Sequence, residues 1–509
     1  NGVYDDLAKR IQDTVHSRSG VEITIETEDS SAAVVPIVGN LIVLGNRSTN
    51  KTIGELYNRY YTLLDLWYPG PGGHVVRSLH NPFGDGHNVL FVGGSDASGV
   101  AAAADFLVKT LEEAEASEGE LAVGWLMDIQ LGTGRTVPED LREFETWEAS
   151  AGYGSIGYFG WNSISKRMAM YYMTGDPYHA REAVRLAFPD ARAMEEITEI
   201  DGEQIENKDE PLSGPYHYNT HMMILYWDLI EESPVFTDEE RLRITNAFSK
   251  QFAHQQEQGW RRQIVEDIEN GVLDYSQPPA RVGSRHGQWS AIGLYCLGRY
   301  FQKDYPHTLW DHCVEGGKWH FSPLHHHAWV DGEHDNLFWY STGMAPILSY
   351  MLLTGDRKLL ENGVLPTVLK GQEILASGRE GDWALRSASI GFLRKAAYLM
   401  QDGRYLEYLD RTGIDLSLFR LGQSYCPEDR LDPVLSNELL NRWSIHPIPE
   451  PMWKERDSGI PFEDSFLFGS YRNATDDSGD FVLIKGMNGA SRNPYHTFAI
   501  LQVRLDGHT

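Results

Sequence analysis

The hydrophobic positions of this chain change their spacing twice along its length. Short apolar runs at residues 21–27, 41–44 and 88–92 predict strands, and a helical run at 100–114 follows a glycine-rich turn. This alternation predicts a small α/β domain over residues 1–125. From about residue 140 the apolar positions recur at helical spacing, and near the end of the chain they alternate again.

The helical region, residues 140–445, repeats one unit. An apolar helix is followed by a Gly/Asp turn and a second amphipathic helix, with turns at Gly175, Gly355 and Gly403. Each unit predicts an αα-hairpin, and several hairpins in series must stack to bury their apolar faces. A solenoid and a closed ring both satisfy this requirement. We favour an incomplete (α/α) toroid, because histidines and polar aromatic residues gather in one part of the region.

Residues 460–509 predict the beginning of an antiparallel β-sandwich, with strands at 481–485 and 497–505. Two or three strands do not form a stable sandwich. We therefore expect either that the domain continues beyond Thr509 or that other residues complete the sheet. Together the three regions predict a multidomain α+β protein.

Composition narrows the possible partners. The net charge of −29 argues against nucleic acid, which requires a basic face, while an acidic polysaccharide needs only a local basic groove. No apolar run approaches the ~20 residues of a membrane span. Three cysteines allow at most one disulfide. The first residue is asparagine, which suggests a mature form, and we expect a secreted or periplasmic protein. The oligomeric state is left open.

Candidate chemistry concentrates in the middle of the chain. Eight of the 19 histidines lie between His286 and His334, and the same stretch is rich in tryptophan. Histidine changes charge near neutral pH, and the flat face of tryptophan suits a sugar ring. The stretch therefore predicts a cleft that binds carbohydrate, with Trp289 and Trp339 as candidate sugar platforms.

Two segments of this stretch resemble the signatures of heparinase II/III-like polysaccharide lyases and related alginate lyases. Residues 281–289 read RVGSRHGQW, and residues 331–342 read DGEHDNLFWYST. In that family a His-Gly helix start is followed about fifty residues later by Asp-Gly and then by a catalytic Tyr-Ser. Here His286 and Tyr340 are 54 residues apart (340 minus 286). The residue before the histidine is Arg285, where the family usually has asparagine.

The resemblance implies a toroid followed by a β-sandwich, and β-elimination beside a uronic acid. In this chemistry Tyr340 acts as base and then as acid, while His286 and Arg285 neutralise the uronate carboxylate. Asn219 and His221 form a second candidate pair for that neutralising role. The family also contributes a histidine from its sandwich domain, for which His496 is the candidate. The remaining candidates for substrate binding are Arg281, His327 and Glu333.

The reaction needs no cofactor. A structural divalent metal, zinc or calcium, is left unassigned, with His325-His326-His327 as one possible ligand source. Residues 1–125 resemble the α/β accessory domains of some glycoside hydrolases. Their turn at residues 93–99 matches neither phosphate-binding fingerprint, so we expect it to be structural.

Two other classes of function stay open. An inverting glycoside hydrolase would need a carboxylate pair ~6.5–9.5 Å apart. The carboxylates available for such a pair are Glu333, Asp335, Asp331 and Glu148. A glycan-binding protein without catalytic activity would bind the polymer and leave it intact.

Overall fold

The computed structural model describes residues 2–27, 37–117, 119–135, 162–201, 209–212, 220–250, 266, 269–271, 274–279, 281–283, 285–326, 337–376, 396–397, 399–410, 431–454, 459–487 and 499–508. Within these residues the chain contains both helices and several small sheets, so the prediction of an α+β protein is confirmed. The helices are α1 Asp5–Ser19, α2 Lys51–Asn58, α3 Ala97–Glu113, α4 Ser163–Thr174, α5 Pro177–Ala187, α6 Ala191–Asp201, α7 Thr220–Ile230, α8 Asp238–Ser249, α9 Arg285–Asp304, α10 Thr308–Phe321, α11 Leu337–Thr354, α12 Lys358–Glu361, α13 Val364–Leu375, α14 Arg404–Asp410 and α15 Glu450–Lys454. The strands are β1 Leu41–Gly45, β2 His74–Leu79, β3 Val89–Gly94, β4 Glu115–Ser117, β5 Glu120–Ala122, β6 Met127–Gln130, β7 Arg442–Pro447, β8 Phe466–Arg472, β9 Phe481–Lys485 and β10 Ile500–Arg504.

The N-terminal region is built on a four-stranded sheet of order β1-β3-β2-β6. Strands β1 and β3 are parallel, and the other neighbours are antiparallel. Helices α1 and α3 pack on one face and share a small core with β2 and β3. The predicted strands near residues 41–44 and 88–92 and the helix at 100–114 are confirmed.

The predicted strand at residues 21–27 is wrong. This segment forms no ladder, and the side chain of Gln12 in α1 donates to the carbonyl oxygen of Ile23 at 2.6 Å. Val21 and Ile23 pack against the core shared by α1 and α3. The alternation of apolar residues therefore reflects packing on a helix pair and not pairing with another strand.

The glycine-rich turn before α3 is closed by protein groups, as we expected of a structural turn. The carboxylate of Asp96 accepts hydrogen bonds from the backbone N–H of Gly99 at 2.8 Å and of Gly72 at 2.9 Å. Hydrogen bonds from Ser98 and from these amides lower the pKa of Asp96. A Cβ on Gly99 would lie 2.1 Å from the carbonyl oxygen of Gly73, so glycine permits the close approach of the two loops.

The helical region contains the hairpins that the Gly/Asp turns predict. Gly175 has a φ of 72° and ends α4, and Gly355 has a φ of 70° after α11. Helices α4, α7, α9 and α11 pack side by side in that order, and α13 packs on α11. Helices α5 and α10 form hairpins with α4 and α9. In α4 and α7 nearly every side chain is buried, which identifies them as interior helices.

Helices α4, α7 and α9 run in the same direction. At their starts, Asn162 Nδ2 lies 3.0 Å from Met223 Sδ, and the rings of His221 and Trp289 stack with centroids 4.9 Å apart. Nearer their ends, Trp227 Nε1 donates to Tyr300 Oη at 3.0 Å. These contacts join the starts of neighbouring helices to each other and their ends to each other, so the helices are parallel.

Helix α11 runs in that direction too. It packs on α9, and its end lies against the N-terminal region, as the end of α9 does: a Cβ on Gly355, the residue after α11, would lie 2.7 Å from Nη2 of Arg59, and Arg299 of α9 donates to Arg59 O at 2.6 Å. We refer to α4, α7, α9 and α11 as the four parallel helices.

The N-terminal region covers the C-terminal ends of these helices. Tyr68 Oη donates to Met173 O at 3.1 Å, and Arg77 donates to Tyr172 O. Asn81 Nδ2 donates to Lys303 O at 3.1 Å. Side chains of the sheet domain thus satisfy helix carbonyl groups that have no partner within their own helix.

The C-terminal strands form one antiparallel sheet of order β10-β9-β8-β7. The strand at 481–485 is as predicted, and the one predicted at 497–505 begins at Ile500 within the described residues. Strands β7 and β8 were not predicted. One face packs on α13, where Arg472 Nη2 donates to Glu373 O at 2.9 Å, and the other exposes apolar side chains such as Trp443 and Ile445.

Candidate functional site

The N-terminal ends of the four parallel helices carry most of the predicted catalytic residues. His221 is the second residue of α7, Arg285 and His286 are the first two of α9, and Tyr340 is the fourth of α11. Because the helices run in one direction, these positions lie at one end of the bundle, opposite the N-terminal region. The side chains of Arg285, His286 and Tyr340 lie outside the described residues, as does the side chain of Trp339.

Among the predicted site residues at this end of the bundle, the structure describes the side chains of His221 and Trp289. Both are 2% exposed, and their rings are stacked with an interplanar angle of 18°. Trp289 lies one helical turn after His286 on α9. Trp289 is therefore buried against His221, whereas it was predicted from the sequence to be a sugar platform. A stacked indole fixes the orientation of the imidazole ring.

The first turns of these helices bury polar side chains. Thr220 and Gln288 are completely buried, and Ser290 is 1% exposed. The hydroxyl oxygens of Thr220 and Ser290 and Oε1 of Gln288 have no hydrogen-bond partner among the described residues. Buried polar atoms normally have hydrogen-bond partners. The presence of these three atoms without one, all at the same end of an apolar bundle, therefore indicates a polar site there.

Helix α4 adds a cation that the sequence analysis missed. Its N-cap Asn162 accepts from Ser165 N at 2.8 Å, and Lys166 follows within the first turns with a side chain that is completely buried. The only signal in the sequence is a polar start, NSISK, to an otherwise apolar helix.

The loop before α9 is packed tightly. Arg281 is half-buried in it, and Gly283 O accepts from Gln288 Nε2 at 3.2 Å. A Cβ on Gly283 would lie 2.9 Å from Cε1 of His320, a buried residue at the end of α10. Burial lowers the pKa of His320 to about 4, so it is neutral at physiological pH.

The other predicted residues lie outside the described residues. They are Asn219, His327, Glu333 and His496, together with the carboxylates Asp331, Asp335 and Glu148 of the alternative hydrolase.

Among the described residues no group of three or more His, Cys, Asp or Glu side chains is placed to hold a metal. His325, the first of the three consecutive histidines, instead pairs with Asp356, with Nε2 2.5 Å from Oδ2. Cys296 and Cys313 are buried and form no disulfide within the described part of the chain, and burial raises the pKa of Cys296 to about 12.

A cavity of about 400 Å³ lies at the other end of the bundle, against the N-terminal region. Arg59, Arg299 and Lys303 line it beside Tyr61 and Phe83. Its cations have structural partners: Lys303 pairs with the buried Asp228, and Arg299 donates to Arg59 O at 2.6 Å. This cavity is therefore part of the junction between the two regions, and it contains none of the residues predicted for catalysis.

Comparison of the chain with protein-family models, with curated proteins and with solved structures gave no match. Within the described part of the chain, no helix has the length and apolar character needed to cross a membrane.

Proposed function

We propose that this protein is a polysaccharide lyase that cleaves a uronic-acid-containing polymer by β-elimination. One observation carries the proposal: the parallel direction of α7, α9 and α11 sets the starts of the helices that bear His221, His286 and Tyr340 at one end. The two motifs that resemble heparinase II/III-like lyases are 54 residues apart in sequence (340 minus 286). Both begin helices at this end of the bundle.

The chemistry needs a base and a positive environment. A base removes the C5 proton of the uronate, the electron pair forms the C4–C5 double bond, and the bond from C4 to the glycosidic oxygen breaks. Tyr340 accepts the C5 proton as phenolate and returns a proton to the leaving oxygen as phenol. The ordinary pKa of tyrosine, ~10, falls when cations lie near the phenolate.

Neutralising the carboxylate makes the C5 proton more acidic. In this proposal Arg285 and His286 do this, and Asn219, His221 and His496 are the further candidates for the same role. The N-terminal ends of helices carry partial positive charge, so several parallel helix starts favour an anionic group and the enolate-like intermediate. The parallel helices also support the toroid, in which such an inner layer is closed into a ring.

Further parts of the proposal follow from the sequence. The substrate is an acidic polysaccharide, the reaction itself needs no cofactor, and the protein acts outside the cytoplasm. The alternative hydrolase and the non-catalytic binding protein remain as outcomes of the experiment below.

The test uses the full chain and a panel of heparin-like, alginate, ulvan-like and rhamnose–glucuronate polymers. A lyase produces unsaturated ends that absorb in the ultraviolet, and a hydrolase produces reducing ends without them. Tyr340→Phe is expected to abolish the absorbance while leaving binding intact. Tyr350→Phe is the matched control, because Tyr350 lies on the same helix and stacks on Phe321 with ring centroids 4.3 Å apart. Normal turnover of Tyr340→Phe would refute the assignment, and binding without any product would identify a glycan-binding protein.

A further inference from the structure

The cavity between the N-terminal region and the four parallel helices is lined by residues of both. Arg59, Tyr61 and Phe83 line it from the N-terminal region, and Tyr295 and Leu353 line it from α9 and α11. Its volume of about 400 Å³ lies within the range of pockets that hold small organic ligands, roughly 300–1,000 Å³. It lies at the opposite end of the bundle from the predicted catalytic residues, so what it binds does not depend on the proposed lyase chemistry.

Two neighbours place the guanidinium group of Arg59 at this cavity. Its Cζ lies 5.9 Å from the ring centroid of Phe83. A Cβ on Gly355, two residues after Leu353, would lie 2.7 Å from its Nη2. Phe83 and Leu353 both line the cavity, so the guanidinium group lies between the N-terminal region and the end of α11, beside an aromatic ring.

This guanidinium group is available to a ligand. The side chain of Arg59 is 24% exposed, and its Nε has no hydrogen-bond partner within the described residues. The carboxylate of Glu55 forms only a long ion pair with it, because Oε2 lies 3.9 Å from Nη2, which exceeds hydrogen-bonding distance. A ligand can therefore bind to Arg59 without displacing a hydrogen bond of the protein.

The charges around the cavity favour a ligand with a single negative charge. Lys303 and Arg299 share the buried carboxylate of Asp228, so two positive charges face one negative charge. Asp311 also lines the cavity, but it is exposed and its charge is therefore screened by solvent. Together with Glu55 it offsets part of the positive charge, which favours a carboxylate over a phosphate dianion.

The remaining surface of the cavity suits the body of a ring. Phe83 and Tyr295 contribute aromatic side chains, against which a flat or puckered ring can pack. At the rim, His307 Nδ1 accepts from Leu309 N at 3.1 Å. The proton of the neutral imidazole is therefore on Nε2, which can donate to a polar group of a ligand.

We propose that this cavity binds a small organic acid, whose carboxylate pairs with Arg59 and whose six-membered ring packs beside Phe83. The planar guanidinium group matches the two oxygens of a carboxylate with two parallel N–H···O hydrogen bonds. A sugar acid and an aromatic acid share this chemistry. Because residues of both regions line the cavity, the bound acid contacts the N-terminal region and the helical bundle at once.

The test is a ligand-observed NMR titration of the full chain with two acids, D-glucuronate and benzoate, and with their neutral amides, D-glucuronamide and benzamide. Arg59→Gln removes the charge and keeps the backbone carbonyl that accepts from Arg299. Arg10→Gln is the matched control, because Arg10 lies on α1 and forms an exposed pair with Asp105. Phe83→Leu removes the aromatic ring. Circular dichroism and thermal unfolding verify that each variant is folded.

The wild type is expected to bind at least one acid about 10-fold or more tightly than its amide, because only the acid forms charged hydrogen bonds with Arg59. Arg59→Gln should abolish this preference and leave the affinity for the amide unchanged. Phe83→Leu should weaken acid and amide alike, and Arg10→Gln should bind both like the wild type. Preference for glucuronate would identify a sugar acid as the ligand, and preference for benzoate an aromatic acid.

Several results would overturn the inference. They are equal affinities of the wild type for acid and amide, no binding of either acid, and a preference for the acid that persists in Arg59→Gln. A preference lost to the same extent in Arg10→Gln, or affinities unchanged in Phe83→Leu, would overturn it as well. The assay for unsaturated products measures the lyase separately, so either proposal can fail without the other.

Discussion

The buried carboxylate of Asp228 provides the sharpest test of the parallel helix arrangement. It lies near the end of α7 and pairs with Lys303 of α9, and Arg299 Nη2 lies 3.8 Å from its other oxygen. The side chains of Asp228, Lys303 and Arg299 are 1%, 4% and 11% exposed. Such a pair is only weakly screened by solvent, and removing one partner leaves an uncompensated buried charge.

We expect Asp228→Asn to lower the free energy of unfolding by about 3–5 kcal/mol, the usual cost of breaking a buried ion pair. The double variant Asp228→Leu/Lys303→Met should lose less stability than Asp228→Asn alone. The single variant leaves two cations, Lys303 and Arg299, without their carboxylate, whereas the double variant leaves only Arg299. Arg299 keeps its hydrogen bond to Arg59 O and its stacking on Tyr61, at 4.3 Å from the ring centroid.

Urea unfolding followed by tryptophan fluorescence measures these changes, since the buried Trp227 adjoins Asp228 and donates to Tyr300 Oη. The control is Glu315→Gln, which breaks the exposed pair of Glu315 with Lys318 on α10 and should cost less than about 1 kcal/mol. An effect of Asp228→Asn no larger than that of the control would refute the reasoning. A double variant less stable than Asp228→Asn would refute it too.

Three further outcomes are expected. Burial raises the pKa of Glu231 to about 7, so the folded state holds a proton that the unfolded state releases above pH ~4.5. Stability therefore falls as pH rises across this window, and Glu231→Gln, measured by urea unfolding between pH 5 and 8, should remove up to about 3 kcal/mol of that dependence. His320 behaves oppositely: its lowered folded pKa of about 4 means that stability is lost as pH falls below ~6.5, and His320→Gln should reduce the loss in unfolding experiments between pH 4 and 7. Gly99→Ala, whose Cβ would meet Gly73 O at 2.1 Å, should lower the thermal midpoint by several degrees, whereas Gly39→Ala, with open space around it, should not.

Much of the local structure could be predicted because it depends on nearby residues. The turns at Gly175 and Gly355 require a left-handed backbone, which glycine adopts readily, and they separate apolar runs of helical length. Strand β9 was predicted with its observed bounds. The α+β character followed from the same patterns.

The arrangement of the helices could not be predicted, because it depends on contacts between residues far apart in sequence. The partners Asp228 and Lys303 are 75 residues apart (303 minus 228) and resemble ordinary surface charges in the sequence. Lys166 gives no sequence signal beyond its polar neighbours, since burial is a property of the assembled helices. Strand β7 was not predicted, because residues up to 445 were assigned to the helical region.

The predicted site residues could be assigned to the starts of helices from their sequence context, and the structure adds the direction of those helices. His221 was considered in the sequence as half of a pair with Asn219. Its observed partner is Trp289, which the sequence analysis assigned to sugar binding. Stacking between two buried rings depends on how two helices pack, and neither ring's neighbours along the chain reveal it.

The capping of helix ends by Tyr68, Arg77 and Asn81 has a consequence for how this molecule can change. Those contacts hold the C-terminal ends of α4 and α9 against the N-terminal region, so substitutions that remove them should lower the stability of the fold. The N-terminal ends of the four parallel helices lie at the opposite end of the bundle, so substitutions there leave these contacts in place. For the proposed lyase, the segments that precede α7, α9 and α11 in the sequence are therefore the positions to diversify when a different substrate is wanted, and the N-terminal sheet should be left unchanged.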